Sequence, residues 1–141
     1  MPIQAWRLFA FGSAFFAALT AVLGKVAVTS INSNLATFLR TLVVLAFAGA
    51  LLYWRDEWRP LASLDGKALA FIVLSGLATG ASWLCYYHAL QLGPVAKVAP
   101  IDKLSVAIAI LLAVIFLGER LDLKAALGCA LVVAGSVVLA W

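Results

Sequence analysis

Five long apolar segments, each of about 20 residues, constrain what this sequence can fold into. An α-helix rises about 1.5 Å per residue, so about 20 apolar residues cross the roughly 30 Å hydrocarbon core of a bilayer. Of the 141 residues, 66% are hydrophobic and 11% are charged, against roughly 45–50% and 25% in soluble domains. The sequence therefore predicts an all-α membrane protein, a single bundle of five transmembrane helices within the lipid bilayer.

The predicted spans cover residues 5–28, 35–54, 68–92, 95–117 and 123–141, within one domain of residues 1–141. The first apolar run is longer than the core of a signal peptide and no convincing cleavage site follows it, so we interpret it as a span. The lysines and arginines that flank the spans all fall on one side: Arg7, Arg55, Arg59, Lys67, Arg120 and Lys124. The positive-inside rule then places the N-terminus in the cytoplasm and the C-terminus outside.

The start of the fourth span, residues 93–105, is unusually polar: Gly-Pro-Val-Ala-Lys-Val-Ala-Pro-Ile-Asp-Lys-Leu-Ser. Asp102 is the one acidic residue inside a predicted span, and a charge at the centre of a spanning helix costs at least about 2.5–3.5 kcal/mol. Pro100 cannot donate a hydrogen bond to Ala96, which predicts a helix break just before Pro100 and places Asp102 in a fresh first turn. Broken helices of this kind recur at transporter binding sites.

Polar residues from four spans are expected at one level, in the outer half of the membrane. At 1.5 Å per residue, Lys25, His88, Arg40 and Asp102 lie about 5, 6, 8 and 10 Å from the outer ends of their spans. Such a level is typical of a water-filled vestibule. We therefore interpret Asp102 as an ion-coupling group, with His88 as a second candidate. Arg40, Lys25 and Lys103 would hold an anionic or zwitterionic small-molecule substrate.

Structural explanations compete with these roles. Long basic side chains near a span end can extend outward to lipid headgroups. A single histidine such as His88 can be a hydrogen-bonded packing residue. Trp83 and Tyr87 can line the vestibule and stack on a flat ligand, or they can face lipid. Asp102 is too short to reach the headgroups, so it needs a proton, a cation or a basic partner.

No metal site, cofactor or catalytic set is expected. Cys85 and Cys129 have neither a CxxC nor a Cys–His spacing, and no paired carboxylates or Ser–His–Asp set falls at one level. An enzyme is thus the weakest hypothesis. The net charge of +4 is divided between loops and spans, which does not favour a nucleic-acid partner.

Several motifs together resemble the EamA-type repeat of the drug/metabolite transporter superfamily over nearly the whole chain. They are Ala-Leu-Gln-Leu-Gly-Pro at residues 89–94, Pro100, Leu-Gly-Glu-Arg-Leu at residues 117–121, and Gly128 with Gly135. Most such transporters have two inverted five-helix repeats, and this chain resembles one repeat, as in short bacterial members. The resemblance implies a secondary carrier for small metabolites, often an exporter, in the cytoplasmic (inner) membrane of a prokaryote.

Two features depart from that superfamily. Its small multidrug exporters use a glutamate in the first helix, whereas the first span here carries Lys25, so cationic-drug efflux is not implied. Glu119 falls at the cytoplasmic boundary and is interpreted as a structural partner of Arg120 or of the helix ends, and not as the coupling acid.

The single orientation leaves three arrangements open for the missing repeat: a parallel homo-oligomer, an inverted five-helix partner from another chain, or a topology that overrides the charge rule. A non-transporting membrane subunit, assembling through rows of small residues, is the alternative function.

Overall fold

The computed structural model describes residues 5–60 and 63–141, which form six α-helices and no strand. The helices are α1 (Ala5–Ala27), α2 (Ser33–Trp54), α3 (Gly66–Leu92), α4 (Val95–Asp102), α5 (Leu104–Leu117) and α6 (Leu123–Ala140). With α4 and α5 taken as one segment, the described residues contain five helices long and apolar enough to cross a membrane. The predicted all-α architecture with five potential spans is confirmed.

Large apolar side chains are exposed along every one of these helices. Phe9 in α1, Phe47 in α2 and Phe116 in α5 are each more than 70% exposed. Soluble monomers rarely expose contiguous apolar surfaces of this kind, whereas in a bilayer the lipid tails cover them. The outward-facing surface of each helix is therefore suited to lipid or to another membrane helix.

Short polar side chains begin three of the helices. Asn32, Asp65 and Asp122 stand just before α2, α3 and α6, and each accepts a hydrogen bond of 2.7–3.2 Å from a backbone N–H two or three residues later. The first amides of a helix have no partner within it, so such side chains satisfy them. The polar turns of the sequence thus fix where these spans begin.

A left-handed glycine, Gly118, ends α5. Gly118 has a φ of +67°, a conformation that glycine adopts without the steric penalty of a Cβ. The next N–H, of Glu119, reaches back six residues to the carbonyl of Ala113 at 3.3 Å, which gives a carbonyl near the helix end a donor. Glu119 therefore lies outside the helix, exposed.

The break in the fourth span lies at Lys103 and not just before Pro100. Pro100 is inside α4, and Asp102 is the last residue of α4 instead of the first turn of a new helix, which corrects both expectations. The hydrogen bonding tightens to three-residue spacing around the break. The Lys103 N–H bonds to the Pro100 carbonyl at 3.1 Å, and Val106 N–H bonds to the Lys103 carbonyl at 3.0 Å. This tightened turn separates α4 from α5 three residues after the proline.

The chain forms two compact units. In the 92–141 unit, which also includes α1 up to Leu23, helix α6 packs against α4 and α5. The 24–91 unit contains the end of α1 with α2 and α3. Its buried residues include the hydrophobic Val28, Ala36, Tyr87 and Leu90 and the polar Ser33 and Thr37.

Candidate functional site

In the 24–91 unit, Arg40 lies on an aromatic platform formed by α3. Its guanidinium carbon is 4.0 Å from the centre of a Trp83 ring and 5.3 Å from the Tyr87 ring. The two aromatic residues are four positions apart and therefore lie on one face of α3. Cation–π contacts of this length are favourable by about 0.5–2 kcal/mol, more where water is excluded. The three residues, all predicted to bind substrate, are thus brought together.

The sequence of α2 explains why Arg40 faces α3. Ser33, Thr37, Arg40 and Thr41 recur at helical spacing, so they share one face of α2. Thr37 and Thr41 donate their hydroxyl hydrogens to the carbonyls four residues earlier, at 2.9 and 2.8 Å. These two hydroxyls therefore satisfy their own donor capacity within α2, which lets a polar face pack against a neighbouring helix.

His88 contacts a residue that the sequence analysis missed. Its Nδ1 is 3.4 Å from the hydroxyl oxygen of Ser33, which is only 2% exposed, while the His88 side chain is exposed. The four-residue spacing of Ser33, Thr37 and Thr41 was the signal that could have identified Ser33. The contact is compatible with a packing histidine and with an ion-coupling one, so the role of His88 stays a prediction.

Lys25 links the end of α1 to the end of α3 by a hydrogen bond. Its Nζ donates a hydrogen bond of 2.6 Å to the carbonyl of Leu90, which lies in the last turn of α3 and has no donor within that helix. A cation at a helix C-terminus is also favoured by the helix dipole. Gly24 makes the approach possible, because a Cβ at this position would lie 3.1 Å from the Tyr87 ring and hydroxyl.

Removing the Lys25 ammonium should therefore destabilise the fold. We expect Lys25→Met to lower the free energy of unfolding by about 1–2 kcal/mol, since a charged hydrogen bond and a helix-terminal cation are both lost. Denaturant titration of the purified protein in detergent measures this quantity. Lys97→Met is the matched control, because the Lys97 side chain is exposed and its loss should change little. Equal losses in the two variants would contradict a structural role for Lys25.

In the 92–141 unit, Asp102 pairs with its neighbour. Its Oδ2 lies 3.2 Å from the Nζ of Lys103, and the side chains are 37% and 54% exposed. The basic partner that Asp102 was expected to need is thus present in the residue at the helix break. In this unit the predicted residues Asp102, Lys103 and Pro100 fall within four consecutive positions.

The described residues contain no group of three or more His, Cys, Asp or Glu side chains placed to hold a metal ion. Both cysteines, Cys85 and Cys129, are free thiols. The chemistry available in the 24–91 unit is therefore that of a cation on aromatic rings, with a nearby histidine and serine.

Comparison with known proteins identifies the family. The EamA-like transporter family matches residues 4–141. The chain is 48% identical over 137 residues to a Sinorhizobium protein named "Uncharacterized transporter in cobO 3'region", covering 97% of both chains. It is 31% identical over 75 residues to an uncharacterized protein of Methanocaldococcus jannaschii, covering 53% of this chain and 55% of that protein. No solved structure matches.

The family and the Sinorhizobium relative favour a transporter over an enzyme. The helices agree with them, since the described residues contain five segments long and apolar enough to be membrane spans. From its sequence match along nearly its whole length and its five spans, the chain belongs to the EamA-like transporter family, within the drug/metabolite transporter superfamily.

Proposed function

We propose that the protein is a secondary transporter, coupled to protons or another ion, that exports a small anionic or zwitterionic metabolite across the inner membrane of a prokaryote. The family match and the transporter named in Sinorhizobium support transport. The proposal that the substrate carries a negative charge rests on Arg40, a half-buried cation that contacts Trp83 and Tyr87 within a span. Ionisable residues within spans are costly and typically mark substrate or ion pathways.

The distribution of acidic residues supports an anion-binding site at Arg40. In the described part of the 24–91 unit, the acidic side chains of Asp56, Glu57 and Asp65 follow the end of α2. Arg40 stands fourteen residues before that end, or about 20 Å along the helix axis. Glu57 is moreover 3.9 Å from Arg55. The positive charge of Arg40 therefore has no carboxylate of its own unit beside it.

Asp102 supplies the proposed coupling group. It ends α4 at the interruption within the fourth span, where its carboxylate pairs with Lys103. Discontinuous helices in transporters expose backbone groups to bound ions and can tilt about the break. A proton bound to Asp102 would neutralise its carboxylate and remove the attraction to Lys103. The residues at the break would then differ in charge before and after proton binding. His88 is the second proposed coupling residue.

We also propose one five-helix domain of residues 1–141 with a cytoplasmic N-terminus and an external C-terminus, acting as a homo-oligomer or with a paired five-helix partner. The one-sided distribution of flanking lysine and arginine supports the orientation. The oligomer is supported by the resemblance to one repeat of transporters that have two. The apolar faces exposed along the described helices leave room for a second set of helices.

Flux into proteoliposomes tests the transport proposal. A gradient of one pH unit is worth about 1.4 kcal/mol, so one-to-one proton antiport, with the membrane potential held at zero by potassium and valinomycin, should accumulate substrate about tenfold on the acidic side. The assay uses a panel of radiolabelled organic acids and amino acids, with a protonophore to collapse the gradient. Accumulation that the protonophore abolishes is the expected result. Uptake no greater than in protein-free liposomes for the whole panel, with every imposed ion gradient, would contradict secondary transport.

A non-transporting subunit is the alternative, favoured by the open glycine surfaces of α3 and α6. A Cβ placed at Gly76, Gly80, Gly128 or Gly135 would meet no atom within 4 Å. Small residues of this kind allow a second helix to approach closely in lipid. Purification of a stoichiometric membrane partner, together with absence of flux by the chain alone, would favour this function.

A further inference from the structure

We infer that the substrate site at Arg40 is selective for a monocarboxylate whose remaining part carries no positive charge. The inference rests on the proposed function and narrows its substrate class, from anionic or zwitterionic metabolites to monoanionic carboxylates. Four features of the 24–91 unit lead to it: the open hydrogen-bond donors of Arg40, the engagement of Lys25, the position of the acidic residues, and the polar face of α2.

The guanidinium of Arg40 is held in place by ring contacts, and none of the described side chains or carbonyls accepts a hydrogen bond from it. Trp83 and Tyr87 contact it through their rings, which accept no conventional hydrogen bond from its five N–H groups. Among the described residues, Arg40 forms no ion pair. A guanidinium held on an aromatic face presents its donors at its edge, in a fork that matches the two oxygens of a carboxylate. The site is thus preorganised for a flat anion.

The number of available cations sets the charge of that anion. Lys25, another basic residue of this unit that was predicted to hold substrate, keeps its charge but donates a 2.6 Å hydrogen bond to the carbonyl of Leu90 at the end of α3. Arg40 is the cation that contacts the rings of Trp83 and Tyr87, so its single charge faces the ligand there. A dianion such as a phosphate monoester would bring a second negative charge into a half-buried site without a cation for it, which is costly. A monoanion matches the charge.

The position of the acidic residues argues against a zwitterion. An ammonium group on the ligand needs a carboxylate or several carbonyl acceptors to replace its water. The acidic side chains in the described part of the unit lie in the segment after α2, about 20 Å along the helix from Arg40. An amino acid would therefore lose hydration at its ammonium group without gaining a charged partner.

The polar face of α2 indicates what the rest of the ligand can carry. Ser33 is seven residues before Arg40 on the same face, or about 10 Å along the axis, and its hydroxyl contacts His88. Of the two rings that contact Arg40, Tyr87 is only 4% exposed and Trp83 is half-buried, so Trp83 is the ring that a ligand can reach. A neutral remainder with an apolar body suits this ring, and a hydroxyl or carbonyl group at its far end can hydrogen-bond to the exposed His88.

Matched ligands on two skeletons test the inference by thermal unfolding of the full-length protein in detergent. The aromatic set is phenyllactate, phenylalanine, phenyllactamide and phenyl phosphate, and the short set is lactate, alanine and lactamide. Ligand binding raises the unfolding midpoint by mass action, so each titration gives an apparent dissociation constant. We expect at least one of the two carboxylates to bind at least about tenfold more tightly than its zwitterionic and neutral analogues and than phenyl phosphate, the dianion, since one charged hydrogen-bonded contact accounts for that ratio.

Substitutions identify the site. Arg40→Gln should weaken carboxylate binding at least about tenfold. Arg40→Lys keeps the charge but loses the two-point geometry, so it should also bind weakly. Arg59→Gln, which changes an exposed loop arginine, is the control and should bind as the unaltered protein does. Carboxylate affinity that is unchanged in both folded Arg40 variants would overturn the inference, as would equal affinity for phenylalanine and phenyllactate or no binding of either carboxylate.

Flux separates this inference from the transport proposal. Carboxylate binding that depends on Arg40, without flux under any gradient, would support the inference and overturn secondary transport. Gradient-driven flux of amino acids with no preference for the carboxylate analogues would overturn the inference and support transport.

Discussion

Asp102→Asn should reduce gradient-driven accumulation to the level of protein-free liposomes while the protein remains folded. Asparagine cannot bind or release a proton, so a carrier that couples through this residue loses its driving force. The fold should survive because the pair with Lys103 is partly exposed, and exposed ion pairs contribute only about 0–1 kcal/mol. The measurement is accumulation in proteoliposomes under an imposed pH gradient, alongside substrate exchange at equilibrium, which needs no net proton movement and should persist.

Two further variants make this result specific to Asp102. Asp102→Glu keeps a titratable carboxylate and should retain part of the coupled flux. Glu119→Gln removes an exposed acid just outside α5 and should leave the flux unchanged. Gradient-dependent accumulation by folded Asp102→Asn would exclude this residue as the coupling group and direct attention to His88.

Gly24→Leu should destabilise the protein by about 2–3 kcal/mol, the upper range for adding side-chain atoms to a packed site. The new Cβ alone would lie 3.1 Å from the Tyr87 ring and hydroxyl and 3.6 Å from a Leu90 methyl group. Neither neighbour can move aside easily, because Tyr87 is 4% and Leu90 0% exposed. Tyr87 also supports Arg40, so carboxylate binding should weaken together with stability.

Gly49→Leu in α2 is the matched control for this substitution. A Cβ at Gly49 would meet no atom within 4 Å, and replacing glycine within a helix is favourable by up to about 1 kcal/mol. The control should therefore be neutral or slightly stabilising in the same denaturant titration. A similar loss of stability in the two variants would show that close packing at Gly24 does not support the fold.

The helices could be predicted because their signals are local. Each span is a run of apolar residues, and the residues that bound it act on amides and carbonyls only a few positions away. Asp122 caps α6 and Gly118 ends α5 through hydrogen bonds that reach at most six residues along the chain. Such signals are present in the sequence whatever the rest of the protein does.

The partners of the site residues depend instead on how two helices align. Arg40 and Trp83 were both selected as site residues from the sequence, but their contact depends on the register between α2 and α3, which no local pattern specifies. A shift of one helical turn, about 5.4 Å, would place the guanidinium beside other residues. The hydrogen bond between Lys25 and Leu90 was harder still to anticipate, because its acceptor is a backbone carbonyl and every residue has one.

The break after Asp102 shows a different limit. Pro100 does remove a hydrogen-bond donor, and that effect was predicted correctly in kind. Its position was not, because the backbone stays helical through the proline and tightens three residues later, at Lys103. The position of the break depends on which N–H groups replace the donor that proline removes. Those replacements involve every residue of the turn, so the proline alone does not fix the position.

The unequal lengths of the spans bear on the thickness of membrane that the protein requires. In the described residues, α3 has 27 residues and α6 has 18, which correspond to about 40 and 27 Å. The hydrocarbon core of a typical bilayer is about 30 Å thick, so α3 exceeds it by about 10 Å. A helix that is too long for the bilayer tilts or extends into the headgroup region, at a cost of a fraction of a kcal/mol per ångström of mismatch. The tilt of α3 should therefore change when the protein moves between membranes of different thickness.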